Sequence, residues 1–152
     1  MILYLAGPMT GIDHYNFPAF HRAALALKQR GYIVFNPAAK ETLEGTDLPD
    51  IDKLPMEWGG TRKDLTPGDI RRLDFLMIND ADAVVLLPGW ESSAGALIEA
   101  HYAMVTGKAV YRLIGDYSLK PLHKSWLFKT VIEWHSAGFK DVGNTGKKVM
   151  KI

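Results

Sequence analysis

The sequence contains no cysteine, which excludes disulfide bonds and thiolate-bound zinc. Its five histidines, at positions 14, 21, 101, 123 and 135, show neither the HxxxH nor the HxH spacing of a metal site. Lys and Arg number 18 against 17 Asp and Glu, and a net charge of +1 gives no electrostatic reason to expect nucleic acid or a membrane surface as a partner. We therefore expect no metal, no cofactor and no nucleic acid, and a small molecule as the ligand.

Long hydrophobic runs and a secretion signal are also missing. The apolar segments are far shorter than a bilayer span, and the start MILYLAGP lacks the basic region and cleavage signature of a signal peptide. These absences predict a cytoplasmic protein with no membrane partner. The length of 152 residues and the hydrophobic content of 47% suit one domain with a buried core, so we predict a single domain over residues 1–152.

Short apolar segments that alternate with helical patterns predict four strands and four helices. The predicted strands are the segments ILYLA, YIVFNP, ADAVVLLPG and KAVYRLIG. The predicted helices begin near Asn16, Pro67, Ser93 and Pro121 and end near Gly31, Asn79, Gly107 and Gly138. Repeated β-loop-α units form mostly parallel sheets. We therefore predict an α/β fold with a doubly wound, flavodoxin- or Rossmann-like sheet, helices on both faces, and a ligand site at the carboxyl ends of the strands.

Two parts of the chain do not follow this pattern. Residues from about 40 to 65 are polar and rich in proline and glycine, which predicts a long loop, and such loops are often lids or binding loops. Trp58 in this loop is either part of a lid over the ligand or an anchor that pins the loop to the core. The segment from about 115 to 152 ends in a weakly patterned tail.

Glu99 is the only formally charged residue between Ser93 and Thr106. At 100° per residue its helical face is shared with small residues such as Gly95 and Ala103, and no lysine or arginine lies three or four positions away. If this face is covered, an ionised carboxylate needs a cavity, a ligand or another acid nearby. The alternative is a solvated glutamate on an exposed strip.

Asp74 is a second acid in an unusual position. It lies on the same helical arc as Met77 and Ile78, the stripe expected to face the sheet, whereas Arg72 points the other way. An inward aspartate suits either a catalytic acid or a side chain that binds a neighbouring loop. Asp82, at the start of the third strand, lies at the opposite end from the expected ligand site and is interpreted as structural.

Two turns could bind an anion or a sugar. One follows the first strand and contains Gly7, Pro8, Met9, Thr10 and Gly11. The other precedes the helix of Glu99, where Ser93 and Gly95 lie at a helix N-terminus that favours negative charge, although Ser93 is equally suited to capping. The GxGxxG and GxxxxGK[ST] motifs are absent, which argues against a dehydrogenase or a P-loop enzyme.

The segments YLAGPMTG, NFPAF and LPGWESSAGALIEAHYA, with the loop tryptophan and the spacing between them, resemble the often phage-encoded DUF4406 family. Beyond that family, they resemble the nucleoside 2-deoxyribosyltransferase superfamily. The resemblance extends from about Met1 to Ile114. It implies that Glu99 attacks C1′ of a (deoxy)nucleoside, that Tyr4 supports this glutamate, and that Asp74 assists the leaving base.

The resemblance also bears on the substrate. The position six residues before the nucleophile contacts the sugar 5′ position, and Ser93 there resembles the nucleotide hydrolases, which favours a 5′-phosphate. The first loop departs from those hydrolases, because it has Met9 and Thr10 where they carry an arginine. Superfamily members form dimers or higher oligomers, and the aromatic segment from Trp126 to Trp134 offers apolar surface for such an assembly.

These observations favour an N-glycosidase or deoxyribosyltransferase acting on a nucleoside or its 5′-monophosphate. The acid near the leaving base needs apolar surroundings that favour its protonated form, as the stripe of Asp74 would provide. A nucleotide-binding module without turnover is the second hypothesis. A phosphoribohydrolase of the lysine-decarboxylase-like type is a third, but it would require a PGGxGT-type turn, and PGWESSAG is not one.

Overall fold

Residues 1–39 and 67–136 are described by the computed structural model of this chain. The strands in these ranges are β1 (Ile2–Ala6), β2 (Ile33–Phe35), β3 (Ala83–Leu86), β4 (Ala109–Leu113) and β5 (Leu119–Pro121). The helices are α1 (Phe17–Gln29), α2 (Pro67–Asp80), α3 (Ala94–Val105) and α4 (Lys124–Ser136). The predicted loop at about 40–65, with Trp58, lies outside the described residues. No helix in the described ranges is long and apolar enough to cross a lipid bilayer.

The strands form one mixed sheet in the order β2-β1-β3-β4-β5. β1 pairs in parallel with β2 and β3, and β3 pairs in parallel with β4, so the predicted α/β fold with a mostly parallel sheet is confirmed. β5 pairs with β4 in the antiparallel direction and was not predicted. It is three residues long, ends in Pro121 and follows a tight turn in which Asp116 Oδ1 accepts a hydrogen bond from the Ser118 N–H at 3.0 Å.

Alternating residues of β1 belong to two different hydrophobic clusters. Leu3 and Leu5 pack with Phe20 and other residues of α1. Tyr4 and Ala6 pack with residues of α2, α3 and α4. Because side chains alternate along a strand, β1 contributes to both faces of the sheet, and helices cover each face. The side chain of Tyr4 therefore points toward the helices that carry Asp74 and Glu99.

The turn before α1 has an unusual backbone. α1 begins at Phe17, as the sequence predicts, but His14, Tyr15 and Asn16 all have left-handed φ angles, of 53°, 52° and 59°. Non-glycine residues adopt this region at a cost of roughly 1–2 kcal/mol each. The Asn16 side chain does not cap the helix; its Nδ2 donates a hydrogen bond to the carbonyl oxygen of Pro8 at 2.9 Å. This contact ties the turn to the loop that follows β1.

Candidate functional site

Glu99 lies in the middle of α3, whose ends are determined by local sequence. The Ser93 hydroxyl oxygen accepts a hydrogen bond from the Ala96 N–H at 3.2 Å, which confirms the predicted N-cap. Gly107 follows the last turn with a φ of +81°, the conformation that commonly ends a helix. The face around Glu99 is covered, with Ala103 fully buried and Glu99 only 7% exposed. The alternative of a glutamate on an exposed strip is therefore wrong.

Tyr4 reaches Glu99 from the centre of β1. Its side chain is fully buried, and its hydroxyl donates a hydrogen bond to Oε2 of Glu99. Burial raises the pKa of Tyr4 well above its ordinary value, and the nearby negative charges of Glu99 and Asp74 raise it further. The phenol therefore stays protonated at neutral pH and acts as a hydrogen-bond donor to the carboxylate.

Asp74 faces inward from α2, as its position on the helical arc predicts. It is 7% exposed, and Ile78 on the same arc is fully buried, whereas Arg72 is exposed on the other side. Asp82 has the structural role that was predicted for it, because its Oδ2 accepts a hydrogen bond from the Ile2 N–H at 2.7 Å. Asp82 thus binds the backbone of β1, whereas Asp74 is buried beside the helix that carries Glu99.

Arg71 links the two buried carboxylates and was not identified from the sequence. Its Nη1 lies 3.7 Å from Oε1 of Glu99 and 3.9 Å from Oδ2 of Asp74. Both distances exceed hydrogen-bonding reach, so Arg71 acts on the two side chains through its positive charge. Glu99 therefore has a cation from a different helix, which a search of its own helix could not find. The available signal was the spacing of Arg71 and Asp74, three residues apart on one helix.

Gly95 leaves room for the guanidinium of Arg71. A Cβ atom at this position would lie 3.2 Å from Nη2 of Arg71 and 3.9 Å from Oγ of Ser93. A larger residue here would therefore press against the arginine. Gly95 thus shapes the space between the first turn of α3 and the two carboxylates, and positive charge lies beside that turn.

The loops that follow β1 and β3 pack against each other. A Cβ atom on Gly7 would lie 2.9 Å from Cβ of Leu87, which is too close for any side chain without a shift of one loop. A Cβ atom on Gly89 would lie 3.2 Å from Cγ of Pro8. A side chain at Gly7 or Gly89 would meet the neighbouring loop, so close packing accounts for glycine at both positions. The contact lies between the loops at the carboxyl ends of β1 and β3.

The remaining residues of the first loop are placed differently. Met9 is half-buried and packs against the cluster of Leu3 and Leu5, on the face of the sheet opposite to Tyr4. Thr10 and Gly11 are exposed. The structure therefore brings together Tyr4, Asp74, Glu99, Ser93 and Gly95, whereas the predicted sugar or phosphate contacts of Met9, Thr10 and Gly11 stay predictions.

A sequence model of the family described as "Domain of unknown function (DUF4406)" matches residues 1–112. This range includes β1, α2, α3 and all the side chains of the site described above. No curated protein and no solved structure matches the chain. The description of the family specifies no activity, so the function has to be argued from the geometry of the site.

Proposed function

The chain belongs to the DUF4406 family, and we propose that it cleaves the N-glycosidic bond of a nucleoside or deoxynucleoside, or of the 5′-monophosphate, as a hydrolase or a deoxyribosyltransferase. The observation that carries this proposal is the buried carboxylate of Glu99, which accepts a hydrogen bond from Tyr4 and faces Arg71 and a second acid, Asp74. A buried carboxylate of this kind suits attack on, or stabilisation of, an electron-deficient carbon.

The proposed reaction proceeds in two steps. In the first, an oxygen of Glu99 attacks C1′ of the sugar through an oxocarbenium-like transition state, the bond from C1′ to the base nitrogen breaks, and Asp74 gives a proton to the departing base. In the second, water or another base attacks C1′, the bond to Glu99 breaks, and Asp74 recovers a proton. Tyr4 orients Glu99 throughout, because its neutral phenol donates to Oε2.

We also propose that the sheet belongs to the doubly wound, Rossmann-like class of the nucleoside 2-deoxyribosyltransferase superfamily. The strand order supports this, because the chain runs from β1 to β2 on one side and then crosses back over β1 to β3 on the other, so the direction of winding reverses next to β1. Ligands of such folds bind outside the carboxyl ends of the strands at this point. The loops after β1 and β3, which contact each other through Pro8 and Gly89, lie at that place.

A 5′-phosphate on the substrate is supported by the first turn of α3. Ser93 and Gly95 lie at a helix N-terminus, with Nη2 of Arg71 close by. Ser93→Asp retains a side chain that caps helices well but brings a negative charge. It is expected to reduce kcat/KM for a monophosphate by roughly 10- to 1,000-fold and to spare the matching nucleoside. If the ratio of kcat/KM for the monophosphate to kcat/KM for the nucleoside is unchanged in this variant, Ser93 only caps the helix and does not contact a phosphate.

We propose that the protein forms a homodimer or a higher homo-oligomer. Three large apolar side chains of α4 are exposed to solvent: Trp126 by 49%, Phe128 by 47% and Ile132 by 64%. One helix therefore presents a large apolar surface that a second copy of the chain could cover. Light scattering at micromolar concentration is expected to give at least twice the mass of the chain. A fully active monomer under these conditions would contradict this assembly.

The alternative is a nucleotide-binding module without turnover. It is favoured by the first loop, which has Met9 and Thr10 where the nucleotide hydrolases carry an arginine, while a buried glutamate beside a helix N-terminus suits either function. Incubation with a panel of nucleosides and their 5′-monophosphates, followed by chromatographic detection of free base, separates the two functions. We expect base release from at least one substrate class; tight binding with no base released would establish the module.

A further inference from the structure

Arg71 has hydrogen-bonding capacity that the described residues do not use. Its Nη1 atom is buried and has no hydrogen-bond partner within residues 1–39 and 67–136, because Glu99 at 3.7 Å and Asp74 at 3.9 Å are too distant for one. A guanidinium carries five N–H donors, and a buried donor without an acceptor is costly. The side chain as a whole is 35% exposed, so a ligand can reach it and provide acceptors.

The two terminal nitrogens of Arg71 face different parts of the site. Nη1 faces the two carboxylates, whereas Nη2 lies 3.2 Å from the place of a Cβ atom on Gly95, in the first turn of α3. The same Cβ atom would lie 3.9 Å from the hydroxyl oxygen of Ser93. Ser93 accepts the N–H groups of Ala96 and Leu97 through its hydroxyl and carbonyl oxygens. The two earlier N–H groups of α3 have no acceptor in the described part of the chain and point toward the same space.

Aromatic side chains support Arg71 in this orientation. Its guanidinium carbon lies 5.8 Å from the ring centre of Phe75, and Phe75 stacks on Tyr102 of α3 with ring centres 4.3 Å apart. The Tyr102 hydroxyl donates a hydrogen bond to Oδ1 of Asn79 at 2.7 Å, which restrains that ring in turn. A guanidinium that is held in place before binding loses less conformational entropy when it contacts a ligand.

We propose that Arg71 binds the 5′-phosphate of the substrate through Nη2, beside Gly95 and Ser93, and that α2 thereby supplies the guanidinium missing from the first loop. That loop has Met9 and Thr10 where the nucleotide hydrolases carry an arginine. A phosphate carries a charge of about −2, and the fork of an arginine binds it well. The positive charge of Arg71 also offsets repulsion between the phosphate and the buried acids. This inference rests on the proposed function and specifies its substrate as the 5′-monophosphate.

The first test compares a nucleoside with its 5′-monophosphate in the wild type, Arg71→Gln and Arg72→Gln. Loss of Arg71 changes the charge beside Glu99 and Asp74 for both substrates, so the informative quantity is the ratio of kcat/KM for the monophosphate to kcat/KM for the nucleoside. Arg71→Gln is expected to lower this ratio by roughly 10- to 100-fold, because only the monophosphate loses a charge-assisted contact. Arg72 is exposed on the same turn, and Arg72→Gln should keep the wild-type ratio. A wild-type ratio in Arg71→Gln, or an equal fall in Arg72→Gln, would overturn the inference.

Arg71→Lys separates the charge of this residue from its shape. Lysine keeps a positive charge near the acids, but its single nitrogen cannot face both the acids and Gly95. The ratio in Arg71→Lys is therefore expected to lie between those of the wild type and Arg71→Gln. If Arg71→Gln does not fold, Arg71→Lys decides the question, and a wild-type ratio in Arg71→Lys would overturn the inference.

A second readout requires no turnover. Ribose 5-phosphate, 2-deoxyribose 5-phosphate and the two unphosphorylated sugars are titrated into each protein by calorimetry. The wild type and Arg72→Gln are expected to bind at least one sugar phosphate more tightly than the matching sugar, and Arg71→Gln should lose most of this difference. No preference for a sugar phosphate in the wild type, or the same preference in Arg71→Gln, would contradict the assignment.

The two readouts distinguish failure of the inference from failure of the proposed function. If Arg71→Gln loses the preference for sugar phosphates while no nucleoside or monophosphate releases base, the proposed reaction fails and the phosphate contact stands. If base is released but Arg71→Gln changes neither the kcat/KM ratio nor the preference for sugar phosphates, the reaction stands and the inference about Arg71 fails.

Discussion

The two faces of strand β1 differ in chemistry. On one face, Leu3 and Leu5 join an apolar cluster with α1. On the other, Tyr4 lies between apolar neighbours and the buried acids Glu99 and Asp74. Burial of apolar surface stabilises a fold, whereas burial of charge is costly unless partners compensate. The first face therefore stabilises the fold, whereas the second carries the polar groups to which we assign the proposed reaction.

The largest effect is expected for Glu99→Gln, which tests the polar face directly. An amide cannot form the glycosyl intermediate, so base release is expected to fall by roughly 10⁴-fold or more, as for other covalent nucleophiles. The fold and ligand binding should be retained. Near-normal turnover in this variant, measured by chromatography of free base, would show that Glu99 is not the nucleophile.

Asp74→Asn tests the second acid of this face. Loss of a general acid typically costs 10²- to 10⁴-fold, and the loss should be smaller for a substrate whose base leaves without protonation. Asp80→Asn, at the exposed end of the same helix, is the matched control. An equal loss for good and poor leaving groups would mean that Asp74 does not deliver the proton.

Leu5→Ala tests the apolar face. Removal of a fully buried leucine side chain is expected to lower the free energy of unfolding by roughly 2–5 kcal/mol, measured with urea, and to leave kcat of the folded protein near its normal value. Leu25→Ala, at an exposed position of α1, should change stability by only about 0.5 kcal/mol or less. A large loss of kcat in folded Leu5→Ala would show that the apolar face of β1 also contributes to catalysis, against the division proposed between the two faces.

The smallest effect is expected from Tyr4→Phe at alkaline pH. The raised pKa of Tyr4 means that the unfolded chain loses this proton first as pH rises past the ordinary value of 10.0, so unfolding becomes easier. Tyr4→Phe lacks this contribution, and the other tyrosines are common to both proteins. The stability advantage of the wild type should therefore narrow above pH 10, as followed by melting temperature. A constant advantage would show that Tyr4 does not hold its proton more tightly in the fold.

Much of the fold and part of the site follow from local sequence. The helical period identified Glu99 and Asp74, because each is an acid on an otherwise small or apolar arc, and both are buried. Ser93 was identified as an N-cap because its hydroxyl precedes a helical pattern, and it caps α3. These features depend on neighbours within one turn of a helix, which a sequence displays.

The features that were missed depend on tertiary contacts or on weak local signals. Arg71 and Glu99 are on different helices, and only the packing of α2 against α3 brings them within 3.7 Å. β5 has three residues and a proline, too little pattern for a strand until β4 offers an edge for pairing. The left-handed run of His14 to Asn16 is disfavoured for each residue, so local preferences argue against it.

The most direct test of the central claim is to trap the sugar on Glu99. A fluorine at the sugar 2′ position destabilises the oxocarbenium-like transition state and slows hydrolysis of a glycosyl-enzyme intermediate. The protein is incubated with a 2-deoxy-2-fluoroarabinosyl nucleoside or its 5′-monophosphate, digested, and examined by mass spectrometry. We predict one fluorosugar on the peptide that contains Glu99, and none in Glu99→Gln. Release of base with no sugar on Glu99, or with the sugar on another residue, would contradict the account.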